Sequence, residues 1–109
     1  MDKKISKPKC CQRKEFDKKL LDLTDFLKII SDENRLRILC ILKTGPKCVC
    51  DIWENLELSQ NLVSHHLKTL KDLGLLKAKK QGLKTFYSIS VKNIDKYLNS
   101  LNVFLKKIN

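Results

Sequence analysis

The chain has 109 residues and a formal net charge of +11 at pH 7. This length allows one small domain, and no run of roughly eighteen apolar residues predicts a membrane span. The Lys-rich N-terminus lacks the apolar segment of a secretory signal, so we expect a cytoplasmic protein.

The positive charge is concentrated in two parts of the sequence. Residues 1–19 and 59–90 each carry a net charge of +5, whereas residues 20–58 carry −2. Such uneven placement suits a polyanionic partner better than general solubility does. No helix combines a Lys face with a Trp/Phe face, so we do not expect a membrane partner.

Residues 1–15 are predicted to form a flexible basic arm, because they are rich in Lys and contain little to bury. The arm contains Cys10 and Cys11 as an adjacent pair. Two cysteines in such a segment have no packing role, so they are either accidental free thiols or metal ligands. The folded domain is predicted to occupy residues 16–109.

Two helices are predicted next, over residues 17–31 and 32–43, with Ser31 as the cap of the second. Cys40 has apolar neighbours and is predicted to be a small core residue rather than a ligand. The apolar residues of the first helix recur with the heptad spacing of a packing seam. They are Leu20, Leu23, Leu27 and Ile30.

A short third helix is predicted over residues 49–57, with Asp51 and Glu54 as a capping pair and Trp53 facing the core. The junction Leu58-Ser59 separates it from a fourth helix, which is the spacing of a helix-turn-helix.

The fourth helix has apolar residues at three- and four-residue intervals, Ser59 as a favourable N-cap and Gly74 as a stop. An ordinary amphipathic helix has the same spacing, but short polar side chains in the first turns are typical of a helix that enters the DNA major groove. His66 is expected to be either packed or in contact with phosphate. The predicted DNA contacts of this helix are Ser59, Gln60, Asn61, Ser64, His65, His66, Lys68 and Lys71.

A β-hairpin is predicted over residues 75–80 and 83–89, because apolar and polar residues alternate on both sides of Gln81-Gly82. Its tip displays Lys79, Lys80 and Lys84. These side chains form either a solvated turn or, directly after a recognition helix, a wing that contacts phosphates. We favour the wing.

The last helix is predicted over residues 91–107, capped by Ser90, with a heptad seam of its own. The seam comprises Val91, Ile94, Leu98, Leu101, Leu105 and Ile108. Either the two terminal helices satisfy each other within one chain, or they also pack against their copies in a symmetric homodimer, which we favour. The resulting fold class is mainly α with a small β-hairpin, an α+β winged helix-turn-helix.

Cys48 and Cys50 flank one residue at the start of the third helix, where the partial positive charge of the helix end lowers the pKa of a thiol. In the cytoplasm, five cysteines are better explained by metal binding or redox chemistry than by disulfides. Together with Cys10 and Cys11 they offer a site for a soft ion: Cd(II), Pb(II), Zn(II), Cu(I) or trivalent As, Sb or Bi. A permanent structural zinc is the alternative.

Several motifs occur together in the middle of the chain. They are Ser31-Asp32 followed by Arg35-Leu36-Arg37-Ile38-Leu39, Cys48-Val49-Cys50-Asp51, Ser59-Gln60, Val63-Ser64-His65-His66-Leu67-Lys68-Thr69-Leu70 and Leu73-Gly74-Leu75-Leu76. In combination they resemble the ArsR/SmtB family of winged-helix metal-sensing repressors. The resemblance extends from about Leu27 to Ile89.

The resemblance implies a metal-binding box at Cys48 and Cys50. The arsenic-sensing members have a further cysteine after this pair, where this chain has Trp53. In the cadmium/lead-sensing members N-terminal cysteines complete the site, a role that Cys10 and Cys11 fit. A second metal site on the last helix is not expected, because that helix has Asp95 but no His.

The predicted function is therefore that of a dimeric repressor of a metal or metalloid resistance operon. It would bind a palindromic operator and leave it when Cd(II), Pb(II), Zn(II) or As(III) binds the thiolates. A thiol-redox regulator of the same fold is the alternative. No organic cofactor and no enzymatic activity are expected, because the sequence has no Gly-rich phosphate loop and no clustered carboxylate pair.

Overall fold

The structure is a computed structural model, and it describes residues 14–106. Its elements are α1 (Lys14–Ile30), α2 (Glu33–Leu42), β1 (Lys47–Cys48), α3 (Val49–Glu54), α4 (Gln60–Asp72), β2 (Leu76–Gln81), β3 (Lys84–Ile89) and α5 (Val91–Leu105). The predicted class, mainly α with a small antiparallel sheet, is confirmed. None of the described helices has the length and apolar character that crossing a membrane would require.

The first helix begins earlier than expected. α1 starts at Lys14, three residues before the predicted start at residue 17. The rest of the predicted arm, with Cys10 and Cys11, lies outside the described residues, as does Ile108 at the other end.

The cap of α2 is Asp32 and not Ser31, as we had predicted. The Asp32 carboxylate accepts hydrogen bonds from the backbone amides of Asn34 at 2.9 Å and Arg35 at 3.1 Å. Ser31 still belongs to the end of α1, because its amide and hydroxyl donate to carbonyls of that helix. Both residues are good caps, and the end of the preceding helix decides between them.

The core lies where α4 meets α1, α2 and α3. α4 contributes three fully buried apolar side chains, Val63, Leu67 and Leu70. The other members of the buried cluster are Leu23, Phe26, Ile38, Leu42, Ile52, Leu75 and Leu76. Fully burying one such side chain contributes roughly 1.5–3 kcal/mol, so α4 is fixed mainly by its apolar face.

Two residues that we expected in the core are exposed. Cys40 lies on the outer face of α2, because Ile38 and Leu42 take the inward positions of that helix. Trp53 is 40% exposed, and its indole N–H donates to the carbonyl of Leu58 at 2.9 Å. This tryptophan therefore spans the junction between α3 and α4, while Ile52 takes the core position.

The sheet has three antiparallel strands in the order β1-β3-β2. β2 and β3 pair from Leu76 with Ile89 to Gln81 with Lys84, so the turn falls one residue later than predicted. The short strand β1 was not predicted, since two residues show no periodicity. It places Cys48 opposite Phe86 on β3.

α5 packs against α1, as the matching seams predict. Phe26 and Tyr97 stack with ring centroids 4.5 Å apart, and Phe16 lies 5.0 Å from Phe104. Within residues 14–106, however, α5 contributes no fully buried side chain. Part of its apolar seam remains exposed in the single chain, namely Val91, Leu98 and Leu105.

Ser90 occupies the N-cap position of α5, but its side chain makes no capping hydrogen bond. Instead its backbone amide donates to the carbonyl of Leu75 at 2.8 Å. The predicted capping position is therefore correct and its expected side-chain contact is wrong.

The burial of the apolar face of α4 predicts that replacing two different leucines by alanine has very different effects on the free energy of unfolding. Leu67→Ala should lower the free energy of unfolding by about 2–5 kcal/mol, because it opens a cavity in the core. Leu83, at the hairpin turn, is 100% exposed, so Leu83→Ala should change it by less than about 0.5 kcal/mol. Urea unfolding followed by circular dichroism at one protein concentration measures both, and equal losses would contradict the burial of this face.

Candidate functional site

Both ends of α4 are fixed by local interactions that the sequence predicts. The Ser59 hydroxyl oxygen accepts a hydrogen bond from the Leu62 amide at 3.2 Å, so the predicted N-cap is confirmed. At the other end Gly74 adopts φ +88°, which glycine tolerates best. Its carbonyl accepts a hydrogen bond from the Asn93 side chain at 2.8 Å, which ties the end of α4 to α5.

One side of α4 is a continuous polar strip open to solvent. Of the residues that we predicted to contact DNA, Gln60, Asn61, Ser64, His65, Lys68 and Lys71 lie on it and are exposed. The Lys68 ammonium is 2.9 Å from the Asp72 carboxylate, and both side chains are mostly exposed. Such a surface pair contributes at most about 1 kcal/mol, so a phosphate can compete for the lysine.

His66 does not belong to this strip; of its two predicted environments, packed or in contact with phosphate, the packed one is found. It is only 5% exposed, on the same face of α4 as Val63 and Leu70. Its Nδ1 accepts a hydrogen bond from Arg35 Nε at 3.1 Å. Burial lowers the pKa of His66, with smaller contributions from Arg35 and His65 in the same direction and from Asp32 in the opposite one.

The β2–β3 hairpin, which we call the wing, presents its lysines to solvent. Lys79, Lys80 and Lys84 are all exposed. The register places Lys79 beside Phe86, on the same face as Lys84, because residues two apart on a strand share a face. Lys80 lies on the opposite face near the turn. The polar strip of α4 and the wing together form the candidate DNA interface.

The second candidate site is a cluster of two thiols and a carboxylate at the start of α3. The sulfur atoms of Cys48 and Cys50 are 2.9 Å apart, and Cys48 Sγ lies 3.3 Å from Asp51 Oδ2. Cys48 is buried at the N-cap of α3, whereas Cys50 and Asp51 are exposed. We call these three residues the thiol cluster.

Asp51 does not form the predicted capping pair with Glu54. Cys48 is the N-cap residue, without a side-chain capping bond, and the Asp51 carboxylate faces its sulfur instead. We therefore missed Asp51 as a potential ligand. The sequence did contain an indication of this role, because Asp51 directly follows Cys50 at the start of a helix. One helical turn then brings the Asp51 side chain close to Cys48.

The expected lowering of a thiol pKa by the helix end is wrong for Cys50. Its pKa is raised, first by the hydrogen bond with Cys48 and then by partial removal from water. α3 has only six residues and its dipole is correspondingly small. The positive charge of Lys84 on the wing acts in the opposite direction and limits this rise in the pKa of Cys50.

The three side chains of the thiol cluster suit a metal ion. Their ligand atoms, two sulfurs and one carboxylate oxygen, lie within 4.8 Å of one another. Thiolate donors select soft ions such as Cd(II), Pb(II), Zn(II) or As(III). With three donors at most, the cluster leaves room for a further ligand.

This chain resembles known bacterial transcriptional regulators. The sequence profile of the bacterial regulatory proteins of the arsR family matches residues 32–78. The chain is 39% identical over 82 residues to the arsenical resistance operon repressor of Staphylococcus aureus, covering 75% of this chain and 79% of that protein. It is 42% identical over 82 residues to the cadmium resistance transcriptional regulatory protein CadC of Listeria innocua, covering 74% and 66%.

A solved structure has the same fold. It is the homodimeric winged helix-turn-helix DNA-binding domain of a possible ArsR-family transcriptional regulator from Mycobacterium bovis. It superposes with a TM-score of 0.70 at 23% identity and covers 88% of this chain and 89% of that one.

The environments of the thiols predict an order of reactivity in the metal-free, reduced protein. Of the three cysteines within residues 14–106, iodoacetamide should modify the exposed Cys40 first, then Cys50 with its raised pKa, and the buried Cys48 last. Peptide-resolved mass spectrometry of a labelling time course measures the three rates. In denaturant the three rates should converge, and labelling of Cys48 as fast as Cys40 in the folded protein would contradict the described cluster.

Proposed function

Since this chain belongs to the arsR family of bacterial regulatory proteins, we propose that it represses a metal or metalloid resistance operon in the cytoplasm. It is a winged helix-turn-helix DNA-binding regulator and not an enzyme. The observation that carries the proposal is the position of the thiol cluster at the start of α3, a helix that packs against both α4 and the wing strand, the two elements proposed to contact DNA. Five residues separate α3 from α4, and Cys48 pairs with the wing strand β3.

The proposed protein is a homodimer held by α1 and α5 of each chain. The exposed apolar residues Val91, Leu98 and Leu105 support this, because an apolar seam of that length favours a partner surface. The homodimeric domain from Mycobacterium bovis supports it as well. Two copies of α4 then enter successive major grooves of a palindromic operator.

Within each half of the dimer, the polar strip and the wing are proposed to make two kinds of contact with DNA, to bases and to phosphates. We assign base contacts to Gln60, Asn61, Ser64 and His65, whose side chains are short or carry both donors and acceptors. Phosphate contacts are assigned to the Ser59 hydroxyl and to the lysines. Those lysines are Lys68, Lys71, Lys79, Lys80 and Lys84.

The proposed effector is a soft metal or metalloid ion bound by Cys48 and Cys50. Cys10 and Cys11, outside the described residues, are the proposed source of further thiolates from the same or the other protomer. Relatives named for arsenical and for cadmium resistance support a metal effector of this class. Asp51 provides an oxygen donor beside the two sulfurs.

Two connections transmit a change at the thiol cluster to the DNA interface. Trp53 of α3 donates to the carbonyl of Leu58, directly before the cap of α4. Backbone pairing of Cys48 with Phe86 joins the cluster to the wing. Drawing the two sulfurs and an arm thiolate onto one ion shifts both connections. A coupling of about 3 kcal/mol would weaken DNA binding roughly 150-fold.

The test is operator binding with and without Cd(II), measured by fluorescence anisotropy with a DNA duplex selected by the protein itself. Cd(II) should weaken binding by the wild-type chain roughly 150-fold. Cys48→Ser and Cys50→Ser should lose most of this response, because each removes a thiolate. Cys40→Ser is the matched control, since Cys40 is exposed on α2, and it should respond like the wild type. An unchanged response in both cluster variants would refute the site assignment.

A thiol-redox regulator is the second candidate, favoured by the 2.9 Å approach of the two sulfurs. Two thiols at that distance can join as a disulfide, releasing two protons and passing two electrons to an oxidant such as a peroxide. Release from DNA by peroxide, reversed by dithiothreitol and insensitive to Cd(II), would select this candidate over metal sensing.

The assigned phosphate contacts predict a change in salt dependence. Lys80→Ala and Lys84→Ala should each reduce the slope of log K against log salt by about 0.9 per lost contact, so about 1.8 per dimer. Lys96→Ala, on the exposed side of α5, serves as the control and should leave the slope unchanged. Anisotropy titrations at four or more salt concentrations measure the slopes, and unaltered slopes in both wing variants would exclude these contacts.

A further inference from the structure

Arg35, in the first turn of α2, connects three helices through a single guanidinium group. Its Nη1 donates a hydrogen bond to the carbonyl of Ile29, in the last turn of α1, at 3.2 Å. Its Nε donates to Nδ1 of His66, in the middle of α4, at 3.1 Å. The side chain thus links a helix of the proposed dimer interface to the helix that is proposed to contact DNA.

The arginine fixes the protonation of the histidine. A guanidinium has only donors, so Nδ1 of His66 must carry a lone pair and the imidazole is neutral. His66 is 5% exposed, which shields this hydrogen bond from competing water.

The Arg35–His66 hydrogen bond restricts the rotation of α4 about its axis, which the apolar contacts of this helix do not. Val63, Leu67 and Leu70 hold α4 against the core, but apolar contacts are non-directional and tolerate small rotations of a helix about its axis. A hydrogen bond weakens steeply when its angle departs from linearity. His65 and Ser64 directly precede His66 on α4, so a rotation that moves His66 turns both of them by the same angle.

We propose that the Arg35–His66 hydrogen bond positions α4 for sequence-specific DNA recognition by fixing its rotation relative to α1 and α2. Neither residue touches DNA in this account, and both act through the side chains on the polar strip. The inference rests on the proposed role of α4 in DNA contact. It adds a positioning role for Arg35 and His66, which act on α4 from the core side.

The positioning contact is sensitive to pH in one direction. The charged and titratable groups around His66 are Arg35 and Asp32 on α2 and His65 on α4. Burial lowers the pKa of His66 below its usual 6.5, so the contact is complete above pH 6.5 and is lost as the pH falls through the lowered value. Protonation removes the acceptor at Nδ1 and places a second positive charge beside the guanidinium.

The experiment compares affinity for a duplex selected by the wild-type protein with affinity for a random-sequence duplex. Anisotropy is measured on the metal-free dimer at constant salt, from pH 8 down to the lowest pH at which circular dichroism shows the protein to be folded. For the wild-type protein the ratio of the two affinities should fall about tenfold on acidification, the effect of losing one hydrogen bond to a charged group. Arg35→Met, which removes the donors, should have the low ratio at every pH.

Two histidine variants separate positioning from general charge effects. His66→Gln retains a neutral acceptor oxygen for Arg35, so its ratio should stay nearly constant over this pH range. His65→Gln, at an assigned base-contact position, should lower the ratio at pH 8 but should still show the acid-induced fall, because it leaves the buried pair intact. Circular dichroism melts at each pH establish that every variant is folded.

Two results would overturn the proposal: a ratio for Arg35→Met equal to that of the wild type at pH 8, or the same acid-induced fall in His66→Gln as in the wild type. If Arg35→Met does not fold, the comparison of His66→Gln with His65→Gln decides alone. A wild-type protein that binds selected and random DNA equally at pH 8 would instead remove the proposed DNA-contacting role of α4.

Discussion

The backbone pairing of Lys47 and Cys48 with the wing strand is the constraint on which the rest of the account depends. It places the buried thiol of Cys48 at the end of β1 and at the N-cap of α3, beside the strands of the wing, which is proposed to contact DNA. Because α3 has six residues and only five residues separate it from α4, a displacement at Cys48 has little chain in which to be absorbed. The proposed metal site and the proposed DNA interface are thus neighbours rather than distant sites that need a relay.

Features fixed by neighbouring residues were predictable from the sequence. The cap at Ser59, the stop at Gly74 and the buried face of α4 follow from local rules of spacing and capping, and each is confirmed. The strand β1 was not predictable, because two residues carry no periodicity and only their partners on β3 define them. The choice of Asp32 over Ser31 as a cap likewise depends on where the preceding helix ends.

The two cysteines of the candidate site were predictable from the sequence, but Asp51 and the environment of the thiols were not. Cys48 and Cys50 are visible as a spaced pair, yet the raised pKa of Cys50 depends on a sulfur contact that spacing alone does not give. His65 and His66 are adjacent in sequence and differ only in which face of α4 they occupy. The bond from Arg35 to His66 crosses 31 positions of sequence, and no local pattern indicates it.

The most direct test uses the reciprocity of linked binding: if a metal ion weakens DNA binding, DNA must weaken metal binding by the same factor. Ultraviolet thiolate-to-metal bands follow a titration of the reduced protein with Cd(II) under competition from a chelator, first alone and then with saturating operator duplex. The account predicts that operator DNA lowers the Cd(II) affinity roughly 150-fold. Superimposable titrations with and without the duplex would contradict it.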